Sequence, residues 1–340
     1  MKNIHFFLFL LLFACTETTS KQEEPQSETK EEQAIQKMPV IFDTDANNEI
    51  DDQHALAYLF FNQALFDIKG ITVNATKSGG DIEGHYEEAK RVMQLCGVAD
   101  QIPLYKGANA DFETIKNTLS AATFDGNAAV DFIIEEAKKE RAEKLVLIPV
   151  GKLTNIALAL AKAPEIKDNI RIVWLGSNYP EPGEYNQDND VPSLNYVLEQ
   201  AVEFEMVTVR YGDPSGSDAV RTTPAQMEKA MPNAGVAVET VTGRHGGQFT
   251  TFGDYSISLF NNIELHGDPP SRALFDVVAV AILKSPEWGE SKVIPAPIMD
   301  IEQNQWQERP ENERSITIWE NFEVDAIVDD FFASIREAGE

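Results

Sequence analysis

The stretch MPVIFDTDANNEIDDQHALAY (Met38–Tyr58) passes from one apolar run to another through four aspartates and a glutamate. MPVIF has the continuous apolar character of a strand buried on both faces, and DDQHALAYLFFNQAL that of a helix. In a strand, residues two apart share a side, so Asp43 and Asp45 project together at the strand's carboxyl end. In an open α/β sheet, that end is where ligands bind. Asp51 and Asp52 open the helix, where its dipole favours negative charge. An N-cap would account for one of them. It does not account for Asp43 and Asp45 converging on the same corner.

The same alternation continues along the chain. DIKGITVNAT, KLVLIPVG, NIRIVWLGS and EFEMVTVRYG read as strands. IEGHYEEAKRVMQLCG, AVDFIIEEAKKERA and LTNIALALAKAP read as the helices between them. The fold class expected is α/β: a Rossmann-like, mostly parallel sheet with helices on both faces. Residues from about 235 to 272 have little periodicity and suggest loops with short helices near a site mouth.

The chain of 340 residues carries a formal net charge of -28. So acidic a surface argues against nucleic acid as a partner, because phosphate binding needs a basic patch. At the start, MKNIHFFLFLLLFAC is too short an apolar run to span a bilayer as a mature helix and reads as a secretory signal peptide. Ala14-Cys15 resembles the bacterial lipoprotein cleavage site, with Cys15 lipidated. The polar, acidic stretch that follows reads as a disordered tether. The organisation expected is a signal peptide over 1–14, a lipidated Cys15 and tether over 15–36, and one domain over 37–340. The protein would be exported and held at a bacterial membrane by lipid alone. Cys96, the only other cysteine, reads as a buried apolar residue.

Carboxylates crowded at one corner take up protons unless a cation joins them. All-oxygen donors select a hard ion, calcium or magnesium. The spacing is not that of an EF-hand loop, so further donors must come from elsewhere in the chain. Here the residues resemble the calcium-dependent nucleoside hydrolases, the inosine-uridine preferring nucleoside N-ribohydrolases. The likeness rests on Asp43-Thr44-Asp45, then ANNEI, then Asp51-Asp52. It is supported in order by KGITV, by IPVGKLTNIALAL with Lys152 in place of the family's Pro, and by LFDVVAVAIL. The turn is two residues longer than is usual in the family. The resemblance implies hydrolysis of a nucleoside N-glycosidic bond with Ca2+ as cofactor. By it, Asp45, Asp52 and Asp276 supply metal carboxylates and Thr154 a main-chain oxygen. Asp45 is the general base on the bound water, Asp51 binds ribose hydroxyls, and Asp43 supports the others from behind. A homodimer or homotetramer is also implied.

For the sugar, Asn195 fits the family's final Asn, while Ser193 stands where a Glu is expected. Asn186 and Asn189 are alternatives for an earlier Asn, and Asp190 and Glu184 for the lost carboxylate. Asn74 and Thr76 are alternatives after the second strand. Phe275 replaces the His that many members place before the late Asp. His245, His266, Tyr255 and Arg272 are the substitutes considered for it, with an Arg272–Asp276 salt bridge as the plain alternative for that arginine. His54 and His85 read as helix-surface residues. Two function classes follow: a lipid-anchored hydrolase of a ribonucleoside or related ribosyl compound, or a non-catalytic, calcium-dependent nucleoside- or sugar-binding lipoprotein.

Overall fold

Continuous apolar strands fold here into an eight-stranded sheet. Six of the strands are β1 (Met38–Thr44), β2 (Phe66–Val73), β3 (Leu104–Lys106), β4 (Leu145–Pro149), β5 (Ile170–Leu175) and β6 (Glu203–Val207). They lie parallel in the order β3-β2-β1-β4-β5-β6. The strand Ser315–Glu320 adds in parallel beside β6, and Glu290–Pro295 closes that edge antiparallel. The computed structural model describes residues 36–339 and residue 1. The expected signal segment and Cys15 thus lie outside the described residues. Residues Gln36–Glu340 form one compact unit. No helix among the described residues is long and apolar enough to cross a membrane.

Period-two alternation divides the strand side chains between two cores. Val40, Phe42, Val146, Ile148, Val173 and Leu175 face one core, with the helices Asp51–Phe61 and Phe275–Lys284. Ile41, Leu145, Leu147, Ile172 and Trp174 face the other, with the helices Asn127–Ala137 and Thr154–Lys162. Helices on both faces therefore cover the sheet, as the apolar runs require. Each fully buried Val, Ile or Leu contributes roughly 1.5–3 kcal/mol.

Strand order reverses between β1 and β4, whose chain connections leave in opposite directions. That reversal opens a crevice at their carboxyl ends. Asp45 follows β1 directly, and Val150-Gly151 follow β4.

The weakly periodic region holds a short helix, Phe252–Phe260, of the kind its sequence suggests, and in addition a small ladder, Val241–Thr242 with Gln248–Phe249. His54 and His85 do not sit on helix surfaces, since both are fully buried. His54 lies among the rings of Phe252, Phe260 and Phe331, with Nε2 2.6 Å from Ser256 Oγ. Burial lowers its pKa to about 4. His85 Nδ1 accepts from the Asn47 amide at 3.2 Å, inside the acidic turn.

Candidate active site

A cavity of about 310 Å³ opens at the β1/β4 crevice. That is the lower end of the range for small-molecule sites. Asp45, Asp51, Asp52, Asp276, Glu184 and Asn186 all line it. Asp51 and Asp52 occupy the first turn of the helix Asp51–Phe61, whose N-cap is Ile50 with no side-chain cap bond. Neither aspartate is therefore used up as a cap. Asp52 Oδ1 instead accepts from Thr44 Oγ1 and from the Asp45 amide at 3.2 Å, which folds the turn back on the strand end. Asp276 sits in the first turn of the helix Phe275–Lys284 and reaches the same point.

Carboxylate oxygens of Asp51, Asp52 and Asp276 lie within 4.8 Å of one another. Two oxygens held at calcium distance from one ion can be up to about 5 Å apart. Burial pushes the Asp45 carboxyl up to about 6 and that of Asp51 up to about 7, although backbone amides bond both. Burial, with the neighbouring aspartates, raises Asp52 and Asp276 well above the usual carboxylate range. The cationic side chains at the cavity are paired with other carboxylates of its wall: Arg221 with Asp218 and Arg272 with Glu49. Buried, oxygen-only and short of positive charge, this cluster could hold a hard divalent ion. Asn74 Oδ1, also buried, has no hydrogen-bond partner. It lies beside Asp45, since a Cβ on Gly151 would meet Asp45 Oδ1 at 2.7 Å and Asn74 Oδ1 at 2.9 Å. That orphaned acceptor marks a place for a donor such as a water.

Asp43 lies one layer deeper and does not line the cavity. It accepts from Thr72 Oγ1 at 2.5 Å, Asn155 Nδ2 at 2.6 Å and Asn74 Nδ2 at 2.7 Å. Thr72 is its register partner on β2, and Asn155 comes from the helix after β4. Asp43 therefore ties three segments together beneath Asp45, with its carboxyl raised by burial to about 6. The two alternatives after β2 divide the work: Asn74 holds Asp43, and Thr76 Oγ1 donates to Asp45 Oδ2.

Three expected contacts are absent from the cavity wall. Thr154 is wholly buried within its helix, its hydroxyl donating to Asp190. The main-chain oxygen this segment offers belongs to Val150, which lines the cavity and accepts from Asn186 Nδ2 at 2.7 Å. Asn195 spends both ends of its amide on the Met299 backbone, at 2.8 and 2.9 Å. Asn189 accepts from the Lys77 amide at 2.7 Å and donates to the Tyr185 carbonyl at 2.9 Å. Each of these side chains is occupied by the fold. Asn186 is the one of the three asparagines from this region, Asn186, Asn189 and Asn195, that reaches the cavity.

Of the two replacement carboxylates, Glu184 reaches the cavity, while Asp190 caps the helix Val191–Glu199. Glu184 is buried and accepts from the amides of Ser177, Asn186 and Gln187. Burial still raises it to about 7. Among the candidates for the leaving-group end, His266 and Arg272 line the cavity beside Phe275. Tyr255 is buried elsewhere and bonds Glu88, and His245 is exposed away from the cavity. Arg272 pairs with Glu49 rather than with Asp276. Sequence reasoning missed Val150, Tyr211, Asp218 and Arg221 on the wall. A main-chain group carries no side-chain signal, Tyr211 lies at the end of a run read as a strand, and Asp218 and Arg221 lie in a segment without periodicity.

Known proteins match this architecture. A plant nucleoside hydrolase superposes with a TM-score of 0.68 at 15% identity, covering 88% of this chain and 99% of that one. A purine-preferring ribonucleoside hydrolase from Gardnerella vaginalis gives 0.64 at 21%, over 88% and 98%. At these identities the likeness speaks for the fold. A non-specific ribonucleoside hydrolase of Escherichia fergusonii is 28% identical over 191 residues, 50% of this chain and 60% of that protein. An uncharacterised protein of Schizosaccharomyces pombe is 28% identical over 219 residues, 58% of this chain and 68% of its own length. The alignment thus spans less than two thirds of the Escherichia relative. Residues 40–329 match the family model of the inosine-uridine preferring nucleoside hydrolases, and the chain belongs to that family.

Proposed function

We propose that the protein hydrolyses the N-glycosidic bond of a ribonucleoside, or a related ribosyl compound, to base and sugar. The observation that carries this reading is the meeting of Asp45, Asp51, Asp52 and Asp276 in one buried cavity. Asp52, Asp276, Asp45 and the Val150 carbonyl would hold a divalent cation, calcium by the family resemblance. When bound, that ion offsets the carboxylate charge and acidifies and orients a water. Asp45 takes the proton of the attacking water, a role suited to a carboxyl held in place by Thr76 and backed by Asp43. Asp51 and Asn186 accept from and orient the ribose hydroxyls. Glu184 adds negative charge beside the sugar, whose ring becomes oxocarbenium-like as the bond breaks.

The export reading extends this proposal: a lipid on Cys15 would hold the domain at a bacterial membrane, where it would meet nucleosides outside the cytoplasm. By family resemblance the domain would act as a homo-oligomer. The test is release of reducing sugar from a panel of purine and pyrimidine nucleosides by the chain from Gln36 onward, with calcium and after chelation. Chelator-sensitive release supports the hydrolase. Nucleoside binding with calcium present and no release from any substrate would make it a binding protein instead.

A further inference from the structure

Hydrolysis of a nucleoside also needs help for the departing base, and this inference rests on the hydrolase reading above. Phe275 cannot supply a proton. Tyr211 is a poor acid, since burial and the nearby Glu184 and Asp51 hold its hydroxyl above the usual range. His266 is exposed, in a short bridge with Ser271. Arg221 Nη2 is engaged by Asp218, while its buried Nη1 has no partner.

Arg272 also carries a spare donor and is the more deeply buried of the two arginines. It lines the cavity and is only 8% exposed. Its Nη2 pairs with Glu49, its Nη1 makes one long contact to the Glu264 carbonyl at 3.4 Å, and its Nε has no partner. A guanidinium has five N–H donors and no acceptor, so a buried one with donors to spare seeks an oxygen or nitrogen lone pair. Three residues on, the Phe275 ring meets that of Tyr211 edge-on, with centroids 5.8 Å apart. Both rings line the cavity. Two aromatic rings set edge to face beside a spare cationic donor suit a planar heterocycle bearing an exocyclic oxygen, which can stack on one ring.

We propose that Arg272 is a catalytic residue of leaving-group departure, donating to the carbonyl oxygen of an oxo-base such as hypoxanthine or uracil. The C1′–N bond breaks with its electron pair going to the base nitrogen, and conjugation carries part of that charge to the carbonyl oxygen. The N–H donors of Arg272 bond that oxygen more strongly as its charge grows. The water oxygen bonds to C1′, its proton goes to Asp45, and solvent later protonates the released base. No general acid is required, which fits phenylalanine at 275. Adenine has no exocyclic oxygen and gains nothing from the arrangement.

The test compares inosine, adenosine and p-nitrophenyl β-D-ribofuranoside, whose leaving group departs as a stable anion without help. Removing one donor to a developing oxyanion costs about 10²–10³ in rate. Arg272→Met is therefore expected to lower kcat on inosine about 100-fold or more, with little change in KM and only a few-fold loss on the nitrophenyl riboside and adenosine. Arg272→Lys should recover part of the inosine rate. Glu49→Gln, which removes the ion pair but keeps the guanidinium, should preserve the ratio of the inosine and nitrophenyl rates. Equal losses on all three substrates in Arg272→Met would make the residue structural and overturn the inference. A leaving-group-dependent loss in His266→Gln, absent from Arg272→Met, would do the same. If the unaltered protein cleaves none of the three and no nucleoside of the wider purine and pyrimidine panel, the hydrolase reading itself fails.

Discussion

Asp45 is fixed at the cavity from several sides. Thr76 donates to it, its amide donates to Asp52, and Asp43 lies beneath it with three donors of its own. That support fixes the carboxylate where a water would be deprotonated. Asp45→Asn keeps the shape and the hydrogen bond from Thr76 but removes the basic oxygen. It is expected to lower kcat by about 10²–10⁴ while nucleoside still binds, as calorimetry of the variant would show. A variant with near-normal turnover would remove Asp45 from its place as base. Asn195 makes the opposite case. Both ends of its amide serve the Met299 backbone, so Asn195→Ala should cost about 1–3 kcal/mol in a denaturant melt and leave kcat/KM nearly unchanged. The aspartates were legible in the sequence because five acidic residues within ten positions have no cheap structural explanation. The asparagines were not, because a short amide docks backbone as readily as it binds a sugar.

At the scale of elements, the decisive feature is the elbow after β4. Val150 turns its carbonyl to Asn186 at the cavity, and Gly151 lets Asp45 and Asn74 close in from β1 and β2. A methyl group at 151 would stand 2.7 Å from Asp45 Oδ1. Gly151→Ala is therefore expected to displace the base by a few tenths of an ångström or more. It should lower kcat by about 10²-fold, far more than it lowers Tm. A fall in Tm without a fall in kcat would show that the carboxylate is not what yields. The strands themselves were plain in the sequence, since runs buried on both faces are apolar throughout. The same uniformity hid other things. In the helix Asp51–Phe61 residues 51–60 are all buried, so no polar stripe distinguishes inside from outside. His54 therefore read as a surface residue although it lies among three phenylalanines. The family resemblance named the main-chain oxygen of Thr154, whereas the residue of this segment that lines the cavity is Val150, four residues earlier.

Over the whole molecule the net charge is -28, and some of its carboxyls are buried around one cavity. Asp51 and Glu184 are pushed up to about 7, Asp43 and Asp45 to about 6, and Asp52 and Asp276 well above the ordinary range. Each of these groups holds its proton more tightly folded than unfolded. The stability they contribute is complete below the usual carboxylate range and is lost as pH rises through about 6 to 7. The buried histidines act in the other direction. His54, lowered to about 4, and His85, also lowered, contribute stability that is present above their ordinary value of 6.5 and lost as pH falls. Between pH 6.5 and 8 only the last half of the unfolded histidines' titration remains, a small gain, and the larger carboxyl loss outweighs it. Metal-free protein, prepared by dialysis against chelator, is thus expected to have a lower Tm at pH 8 than at pH 6.5. On the proposed reading calcium would bind the deprotonated cluster, so restoring it should raise Tm by several degrees at pH 8 and by much less at pH 5.5. At 100 times its Kd, a ligand adds about 2.7 kcal/mol of stability. A calcium shift of equal size at both pH values would mean that the ion binds somewhere other than these aspartates. The charge that threatens the empty fold would then have to be relieved by protons alone, and the cavity would have no cation with which to activate a water at neutral pH.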